Sequence, residues 1–475
     1  MPYFIGLDIG TTSISATVIN QHSHRQEESF TIPYHYPVSC DEPDFCQQDP
    51  SMILAESLRL LDQILAKYSK IQAIGLTGQM HGILYVDQNG RAVSPLMNWQ
   101  DQRAGRLYDS QQTHCDRIHA LTGEKIAPGY GLATHFYNLQ NALVPETAHS
   151  FCSIMDYVGM GLTGRSIPLM HTSVAASFGL FDHIEKSFLP GALTVLGMTD
   201  LILPEVTDDY ALLGYHLGIP VSVAIGDNQA SFLGSMKDLT GSVLVNMGTG
   251  SQISTLAGSP IPQTNSLQIG ATEIRPLIKD KNIICGSALC GGASYALLEQ
   301  FFRFYQTGIL TAAATPEASG TDIGPGSTQA VDSQFDTMNR LAYEAYRTRQ
   351  TPLTVNTYFR GQRHNPAATG SILGITTENF TPGQLILGFL YGMCRELYEL
   401  LQDHLPDKKT IVASGNAIQR ITVLKSILEE IFGLPVLISG TSEEAALGAA
   451  LFGAVCAKLL QGPEDFAAFI HYDAP

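Results

Sequence analysis

The stretch I-G-L-D-I-G-T-T-S at residues 5–13 recurs as V-L-V-N-M-G-T-G-S at residues 243–251. Each copy begins with apolar, strand-forming residues and ends in a short turn of glycine, threonine and serine. Gly10 aligns with Gly248, about half of the 475-residue chain away. Self-similarity at such a distance indicates that the chain contains two copies of one topology.

A second pair of segments supports the duplication. G-I-P-V-S-V-A-I-G-D at 218–227 matches G-L-P-V-L-I-S-G-T-S at 433–442, and the two pairs occur in the same order. We therefore predict two domains of common topology, at residues 1–235 and 236–475. In a duplicated protein of this kind, the functional site is expected in the cleft between the domains.

Apolar strand segments alternate with helix signals in both halves. A helix start is predicted at Asp49-Pro50, and another at residues 381–384, where T-P-G-Q forms a capping box. The short apolar runs at 71–76 and 411–413 predict buried strands. This alternation indicates an α/β fold whose sheets are covered on both faces.

Two other segments have a distinctive composition. Residues 311–333 are rich in alanine, glycine, threonine and proline and predict a loop with short helical pieces. Residues 445–457 are mostly small and apolar, and we predict a tightly packed helix in the second domain.

The charge balance restricts the partners of the protein. Lysine and arginine number 27 against 44 acidic residues, a formal net charge of −17. An acidic surface disfavours nucleic acid and anionic membranes as partners. Hydrophobic residues make up 44% of the chain, which is enough for a packed core. The sequence does not indicate an oligomeric state.

The same composition bears on localisation. The first basic residue is Arg25, so no charged segment precedes an apolar one as in a secretory signal. The longest apolar run, 445–457, is too short to cross a bilayer. We expect a cytoplasmic protein. The eight cysteines are scattered, with no Cys-x-x-Cys pair, and predict reduced thiols instead of a zinc site or disulfides.

The two halves differ at two acidic positions. Asp8 in the first copy corresponds to Asn246 in the second, and Asp227 corresponds to Ser442. If both turns hold phosphates, additional carboxylates repel the ligand, so each retained aspartate needs a function. Coordination of a metal ion and general base catalysis are the two candidates.

The Gly-Thr-Thr-Ser and Gly-Thr-Gly-Ser turns suit phosphate binding. Their backbone N–H groups and hydroxyls can converge on phosphate oxygens, and glycine permits close approach of the backbone. No G-x-x-x-x-G-K-[ST] stretch is present, which disfavours a P-loop fold.

Five motifs resemble those of the FGGY family of carbohydrate kinases. They are D-I-G-T-T-S (8–13), G-Q-M-H-G (78–82), I-G-D-N-Q-A (225–230), N-M-G-T-G-S (246–251) and A-S-G-N-A (413–417). They follow the family's order and cover nearly the whole chain. The resemblance implies duplicated actin-like domains of the ribonuclease-H type, with ATP and Mg²⁺ in the interdomain cleft and phosphorylation of a sugar hydroxyl.

Further segments resemble the sedoheptulokinases of this family more than its xylulokinases. They are W-Q-D-Q-R (99–103), G-Y-G-L-A-T-H-F (129–136), D-Y-V (156–158) and G-Q-R-H (361–364). The lysine that xylulokinases carry near Thr134 is absent, and we expect the shorter side chain to leave room for a longer sugar. Gln102 and Gln362 depart from the sedoheptulokinase pattern, which has Gly and Glu there. The resemblance thus implies phosphorylation of a ketose, sedoheptulose, to the 7-phosphate.

The resemblance also implies roles for individual residues. Asp227 is the expected general base, at the end of a strand where α/β sheets bind ligands. Asp8 is the expected Mg²⁺ residue, acting through water. The expected sugar contacts are Gln79, Met80, His81, Trp99, Asp101 and Asn228. The expected ATP contacts are Thr11, Thr12, Ser13, Gly248, Thr249, Gly250, Gly291, Gly292, Ser414, Gly415 and Asn416.

Other functions stay open from the sequence. The substrate is alternatively xylulose or another ketose. A protein of a different class, a non-enzymatic actin-like or chaperone-like nucleotide-binding protein, needs neither Asp227 nor the residues 79–81. A sugar-responsive repressor is expected to carry a basic helix-turn-helix segment before the first hairpin, and none is seen.

Overall fold

The computed structural model describes residues 1–258, 268–269, 271–306, 334–363, 365, 367–441 and 443–473. The interval 311–333, predicted as loop, lies outside the described residues, as do Ser442 and His364 of the quoted motifs. No described helix is long and apolar enough to cross a membrane.

The first half of the chain forms one six-stranded sheet with helices and short strand pairs around it. Its helices are α1 (Pro50–Lys67), α2 (His114–Thr122), α3 (Gly131–Gln140), α4 (Ile154–Thr163), α5 (Thr172–Ala175), α6 (Pro190–Val195) and α7 (Asp227–Ser235). Its strands are β1 (Tyr3–Ile9), β2 (Ser13–Asn20), β3 (Arg25–Pro33), β4 (Gln47–Gln48), β5 (Ile71–Gly78), β6 (Leu84–Val86), β7 (Leu96–Met97), β8 (Ser150–Cys152), β9 (Leu169–His171), β10 (Phe181–Asp182), β11 (Ser187–Phe188), β12 (Glu205–Thr207), β13 (Leu212–His216) and β14 (Ile219–Gly226). The sheet order is β13-β14-β5-β1-β2-β3.

The described part of the second half forms a seven-stranded sheet with the order β17-β18-β19-β16-β15-β22-β23. The strands are β15 (Ser242–Met247), β16 (Ser251–Leu256), β17 (Gln268–Ile269), β18 (Thr272–Ile278), β19 (Lys281–Ala288), β20 (Thr354–Asn356), β21 (Ser371–Leu373), β22 (Thr410–Ser414) and β23 (Val436–Ile438). The helices are α8 (Gly291–Phe304), α9 (Phe335–Arg347), α10 (Pro382–Leu401), α11 (Asn416–Arg420), α12 (Val423–Phe432) and α13 (Glu444–Cys456).

The two sheets repeat one topology. In the first, β1 pairs antiparallel with β2 and parallel with β5, and β5 pairs parallel with β14. In the second, β15 pairs antiparallel with β16 and parallel with β22, and β22 pairs parallel with β23. Both matched segment pairs of the sequence therefore fall on equivalent strands. The predicted α/β class and internal duplication are confirmed.

The predicted helix starts are confirmed as well. The Asp49 side chain accepts hydrogen bonds from the N–H groups of Ser51 and Met52 at the start of α1. Thr381 caps α10 by accepting from the N–H of Gln384. Each cap satisfies N–H groups that have no partner inside the helix.

The prediction that residues 445–457 form a tightly packed helix is confirmed, and the structure adds that this helix packs on the sheet of the first half. Helix α13 lies on β1 and β5 of the first sheet and contacts α7. Its residues Leu447 and Phe452 belong to the same buried cluster as Phe4 and Leu76. After β23 the chain thus returns from the second sheet to the first. The small residues of α13 and the glycines of β1 and β5 allow their backbones to approach closely.

Candidate active site

The two retained aspartates lie at the same edge of the first sheet. Asp8 is near the end of β1, opposite Thr77 of β5, and Asp227 directly follows Gly226, which is opposite Gly78 of β5. Because the three strands are parallel, their carboxyl ends meet there. Asp8 and Asp227 line one cavity of about 320 Å³ together with Asn228, Asn246, Gln252, Ser254, Glu443 and Glu444, among others. Residues from both halves of the chain therefore face each other around these carboxylates.

The pKa values of both carboxyl groups are raised. Burial, and then the charges of Asp227 and Glu443, raise the pKa of Asp8 to about 7. Burial also raises the pKa of Asp227, while the positive charge of Arg275 opposes that rise. Two acidic groups that share a cavity without a cation disfavour double ionisation. A cation bound between them lowers the pKa of both.

The donor set fits Mg²⁺. This ion prefers oxygen ligands and retains several waters, so it takes one or two carboxylates instead of a complete protein cage. Asp8 and Asp227 supply such oxygens, and the buried Oδ1 of Asn228 in the same cavity has no hydrogen-bond partner. Among the described residues, no group of three or more acidic, histidine or cysteine side chains forms a complete metal cage.

A larger cavity of about 730 Å³ lies beside these residues. Its walls include Met80, His81, Trp99 and Tyr130 from the first half. They also include Glu273, Arg275, Arg360, Gln362 and Arg363 from the second half. Of the predicted sugar contacts, Met80, His81 and Trp99 therefore line the larger cavity, and Asn228 lines the smaller one.

His81 is held in one orientation and one tautomer. Its backbone has a φ of 75°, a conformation that non-glycine residues rarely adopt. Its Nδ1 lies 2.9 Å from the carbonyl oxygen of Ser177, so Nδ1 carries the proton and Nε2 is an acceptor. Its ring stacks on Tyr130, with centroids 4.5 Å apart. Burial and then the charge of Arg275 lower its pKa to about 3, so the ring is neutral. His81 thus offers an acceptor to a hydroxyl.

Trp99 forms a wall of the cavity, not part of the core. Its side chain is 46% exposed, and its indole N–H donates to Oγ1 of Thr11 at 2.9 Å. Gly129 has a φ of 85°, and a Cβ there would lie 2.1 Å from the carbonyl oxygen of Trp99. The glycine allows the chain before α3 to pack against the tryptophan and to bring Tyr130 to His81.

Two predicted sugar contacts have other partners. Asp101 is fully buried, and both of its oxygens are bound by the guanidinium of Arg103, at 2.8 and 2.9 Å. This differs from the expectation that Asp101 contacts the sugar, because its buried carboxylate binds Arg103 and lines neither cavity. The buried Gln79 accepts from Oγ1 of Thr11 at 3.3 Å and donates to Gln48 at 3.2 Å. It supports the first turn and does not line the larger cavity.

Thr11 and Thr12 lie in the turn after β1 of the first sheet and Ser13 begins β2, and the other predicted nucleotide residues lie at the corresponding edge of the second sheet. In both turns, the first glycine donates to a carbonyl oxygen across the turn, Gly10 to Ser13 and Gly248 to Gly250. The N–H groups of Gly292 and Ala293 donate to the second turn at 2.9 Å. This contact brings the start of α8 against the turn.

The glycines of this region are required by packing. A Cβ on Gly291 would lie 2.0 Å from Oγ of Ser251, and a Cβ on Gly415, with a φ of 94°, would lie 2.6 Å from the carbonyl oxygen of Met247. Ser414 lies opposite Asn246 on the neighbouring strand and accepts from its amide at 3.1 Å. The turn at 248–250, the start of α8 and residues 414–416 therefore form one continuous surface.

Tyr130, Glu273, Arg275 and Arg363 are among the residues of this cavity to which sequence reasoning assigned no role. A signal for two of them is present in the sequence. Glu273 and Arg275 are separated by one residue in the otherwise apolar strand A-T-E-I-R-P-L-I (271–278), so both point to the same face. Charged residues in a buried strand are rare unless they are paired.

Comparison with known proteins gives the family. The model for the N-terminal domain of the FGGY family of carbohydrate kinases matches residues 3–234, and the model for the C-terminal domain matches residues 243–457. The chain belongs to the FGGY family of carbohydrate kinases. It is therefore a sugar kinase, and ATP is the phosphoryl donor in this family.

Individual relatives of this FGGY kinase have several substrates in their names. The sedoheptulokinase of Mus musculus is 26% identical, over 95% of this chain and 97% of its own. The gluconokinase of Bacillus subtilis is 22% identical, over 95% and 87%. Among solved structures, the gluconate kinase of Lactobacillus acidophilus superposes with a TM-score of 0.80 at 17% identity. The xylulose kinase of the same organism superposes with a TM-score of 0.78 at 19% identity. Each superposition covers 100% of this chain and 93% of the other chain. These structures share the two-domain actin-like fold.

Proposed function

We propose that this FGGY kinase transfers the γ-phosphoryl group of ATP to sedoheptulose and produces sedoheptulose 7-phosphate. The observation that carries the proposal is the 26% identity to sedoheptulokinases over 95% of this chain, together with the motifs at 99–103 and 129–136. The cavity of about 730 Å³ does not restrict the sugar to five carbons.

Asp227 is the general base in this proposal. It accepts the proton of the sugar hydroxyl as that oxygen forms a bond to the γ-phosphorus and the bond from phosphorus to the leaving ADP oxygen breaks. Its place in the smaller cavity supports the assignment, because the charge of Arg275 from the larger cavity acts on it and the hydroxyl has to reach the phosphate side. Asp8 holds Mg²⁺, which supplies charge neutralisation at the phosphates.

The sugar is oriented by residues from the first half of the chain. His81 accepts a hydrogen bond from a sugar hydroxyl at Nε2, Met80 contacts the carbon chain, and Trp99 covers one side. Asn228, next to the base, contributes a polar contact from the phosphate side. The two turns and the residues at 291–292 and 414–416 bind ATP through backbone N–H groups and hydroxyls, as glycine-rich turns do in other phosphate sites.

One reason for expecting a long sugar does not hold. Thr134 is buried on α3 and is absent from the walls of the larger cavity, so its short side chain does not create room for the substrate. The sugar assignment consequently depends on the similarity to sedoheptulokinases.

A coupled assay of ADP release tests the proposal. Purified enzyme is assayed with ATP, Mg²⁺ and each of sedoheptulose, xylulose, ribulose, gluconate and glycerol, and Asp227→Asn serves as the inactive control. We expect the highest kcat/KM with sedoheptulose. A clear preference for xylulose or gluconate would replace the proposed substrate, and ADP release that none of these compounds stimulates would contradict phosphorylation of sedoheptulose.

A further inference from the structure

The second half of the chain brings a buried pair of charges to the sugar cavity. Glu273 and Arg275 lie on the same face of β18, and both are nearly inaccessible, with exposures of 8% and 6%. Both line the cavity of about 730 Å³. The sugar contacts assigned from the sequence are all in the first half.

The ion pair between Arg275 and Glu273 leaves one guanidinium nitrogen of Arg275, Nη1, available as a donor. Nε and Nη2 of Arg275 donate to Oε2 of Glu273 at 3.1 and 2.8 Å, and Nη1 of Arg363 donates to Oε1 at 3.3 Å. Attraction by Arg275 and Arg363 overcomes the effect of burial and lowers the pKa of Glu273 to about 2, so the carboxylate is ionised. Within the described part of the chain, no hydrogen-bond acceptor meets Nη1 of Arg275.

The pair faces the sugar wall of the first half. The hydroxyl of Tyr130, which stacks on His81, lies 3.5 Å from Oε1 of Glu273. The charge of Arg275 acts both on His81 and on Asp227. Arg275 and His81 line the same cavity, and Arg275 is close enough to both His81 and Asp227 for its charge to act on them.

A purely structural role does not explain this pair. Both charges are on one strand, so their mutual attraction does not connect the two halves. Burying an ion pair costs desolvation energy, and apolar residues of similar size are usually at least as stable in such a position. The cavity wall that the pair forms with Arg363 presents charged donors, which suit a ligand with many hydroxyls.

We propose that Arg275, oriented by Glu273 and Arg363, donates hydrogen bonds to the hydroxyls of the sugar from the second half of the chain. The inference rests on the proposed sugar kinase function and adds a specificity residue to it. A sugar hydroxyl that donates to Nε2 of His81 accepts from Arg275. The sugar then connects the two halves, and the sugar site is complete only when both are together.

The test compares the sugar and nucleotide steps in Arg275→Gln and Arg275→Lys. Sugar binding is measured without nucleotide from the fluorescence of Trp99, the single tryptophan of the chain, which lies in the cavity wall. The probes are sedoheptulose, xylulose and gluconate, each added alone. Arg340→Gln, which removes an exposed arginine on α9, is the matched control.

For the sugar that wild type binds best, we expect Arg275→Gln to raise the dissociation constant and the sugar KM by about 10–100-fold, as expected for loss of charged hydrogen bonds to a ligand. The KM for ATP stays within about twofold of wild type, and Arg275→Lys recovers part of the sugar affinity. Because removing one partner of a buried pair destabilises a protein, the double variant Arg275→Gln/Glu273→Gln provides a neutral pair of similar shape. It is expected to lose sugar affinity to the same extent.

The outcomes separate the two proposals. Sugar affinity equal to wild type in the folded variants, or a parallel rise of the KM values for sugar and ATP, would overturn the role of Arg275. If Arg275→Gln does not fold, the sugar affinity of the double variant Arg275→Gln/Glu273→Gln decides. If the double variant does not fold either, the sugar affinity of Arg275→Lys decides. A sugar other than sedoheptulose as the best ligand removes only the proposed substrate. Failure of wild type to bind any probe removes both proposals.

Discussion

Gly234 of α7 and Gly448 of α13 pack backbone against backbone, so that a Cβ on Gly234 would lie 2.6 Å from the amide nitrogen of Gly448. The two helices follow the equivalent strands β14 and β23. Helix α7 begins with the proposed base, Asp227, and α13 follows the last strand of the second sheet. The contact therefore joins the catalytic edge of the first sheet to the end of the second.

We predict that Gly448→Ala destabilises the protein. Its Cβ would lie 1.8 Å from the carbonyl oxygen of Ala230, which is backbone and cannot yield without moving the helix. Overpacking of this kind costs about 1–3 kcal/mol or more. Thermal unfolding should show a clearly lower Tm. The control is Gly191→Ala in α6, where a Cβ meets nothing within 4 Å and where we expect a Tm equal to or slightly above wild type. Equal Tm values for the two variants would contradict the packing argument.

The proposed base gives a second prediction. Asp227→Asn retains the size of the side chain but cannot accept a proton, and general base catalysis contributes ~10²–10⁴-fold. We expect kcat to fall by at least this factor while binding of ATP, measured by calorimetry, is unchanged. Asp101→Asn serves as the comparison: its carboxylate binds Arg103, so that variant should lose stability more than it loses kcat. Near wild-type kcat in Asp227→Asn would move the base to another residue.

Asp8 predicts a pH-dependent effect on stability without Mg²⁺. Its folded pKa, about 7, is above the ordinary 3.8, so its favourable contribution is present at low pH and is lost as pH rises through 7. Asp8→Asn does not titrate. In EDTA, the Tm of the variant relative to wild type should therefore be higher at pH 8 than at pH 5.

The same variant tests the metal assignment. With saturating sugar, activity of the wild type should require Mg²⁺, and Asp8→Asn should lower kcat more than it weakens sugar binding. A Tm difference independent of pH would contradict the coupling between Asp8, Asp227 and Glu443. Weakened sugar affinity with normal kcat would contradict the metal role.

Trp99 connects the sugar wall to the first turn, which gives a fourth prediction. Its indole N–H donates to Thr11, and Thr11 in turn donates to Gln79. Trp99→Phe retains an aromatic surface but loses this donor. We expect a higher KM for the sugar and, because the turn loses one restraint, a smaller rise in the KM for ATP. Thr11→Val, which removes the acceptor and keeps the tryptophan, should raise the KM for ATP similarly. An unchanged KM for ATP in both variants would exclude the connection.

Patterns within one segment predicted most of the fold. The caps at Asp49 and Thr381 and the strands at 71–76 and 411–413 depend on local sequence, and the structure contains them. The repeat was visible because both copies retain the same local pattern. The position of α13 depends on glycines far away in the chain, such as Gly6 and Gly75, which lie against its backbone. The composition of α13 indicates tight packing, but it does not indicate which sheet the helix packs against.

Only part of the site was predicted, because local patterns do not record contacts between distant residues. Asp8 and Asp227 follow apolar strands, and strand order brings such ends together. Asp101 has the residue type of a sugar contact, but its neighbour Arg103 binds it inside the core. Arg275 comes from a strand of the other half, and its proximity to His81 results from the packing of the two domains, which no local pattern records.

The last prediction concerns closure of the two halves. Asn228, next to the base, donates to Gln252 and Ser254 of β16, and Tyr130 lies against Glu273 of β18, so contacts between the halves surround the reaction site. Water near Asp227 competes with the sugar as phosphoryl acceptor, and closure excludes it. If the sugar completes these contacts, small-angle scattering should give a smaller radius of gyration with sugar plus a non-hydrolysable ATP analogue than with either alone. ATP hydrolysis without sugar should be far slower than sugar phosphorylation. Arg275→Gln should need more sugar to reach the compact form, whereas Arg340→Gln should behave as wild type. A compact shape that does not depend on sugar, together with rapid hydrolysis of ATP in its absence, would refute closure driven by the sugar.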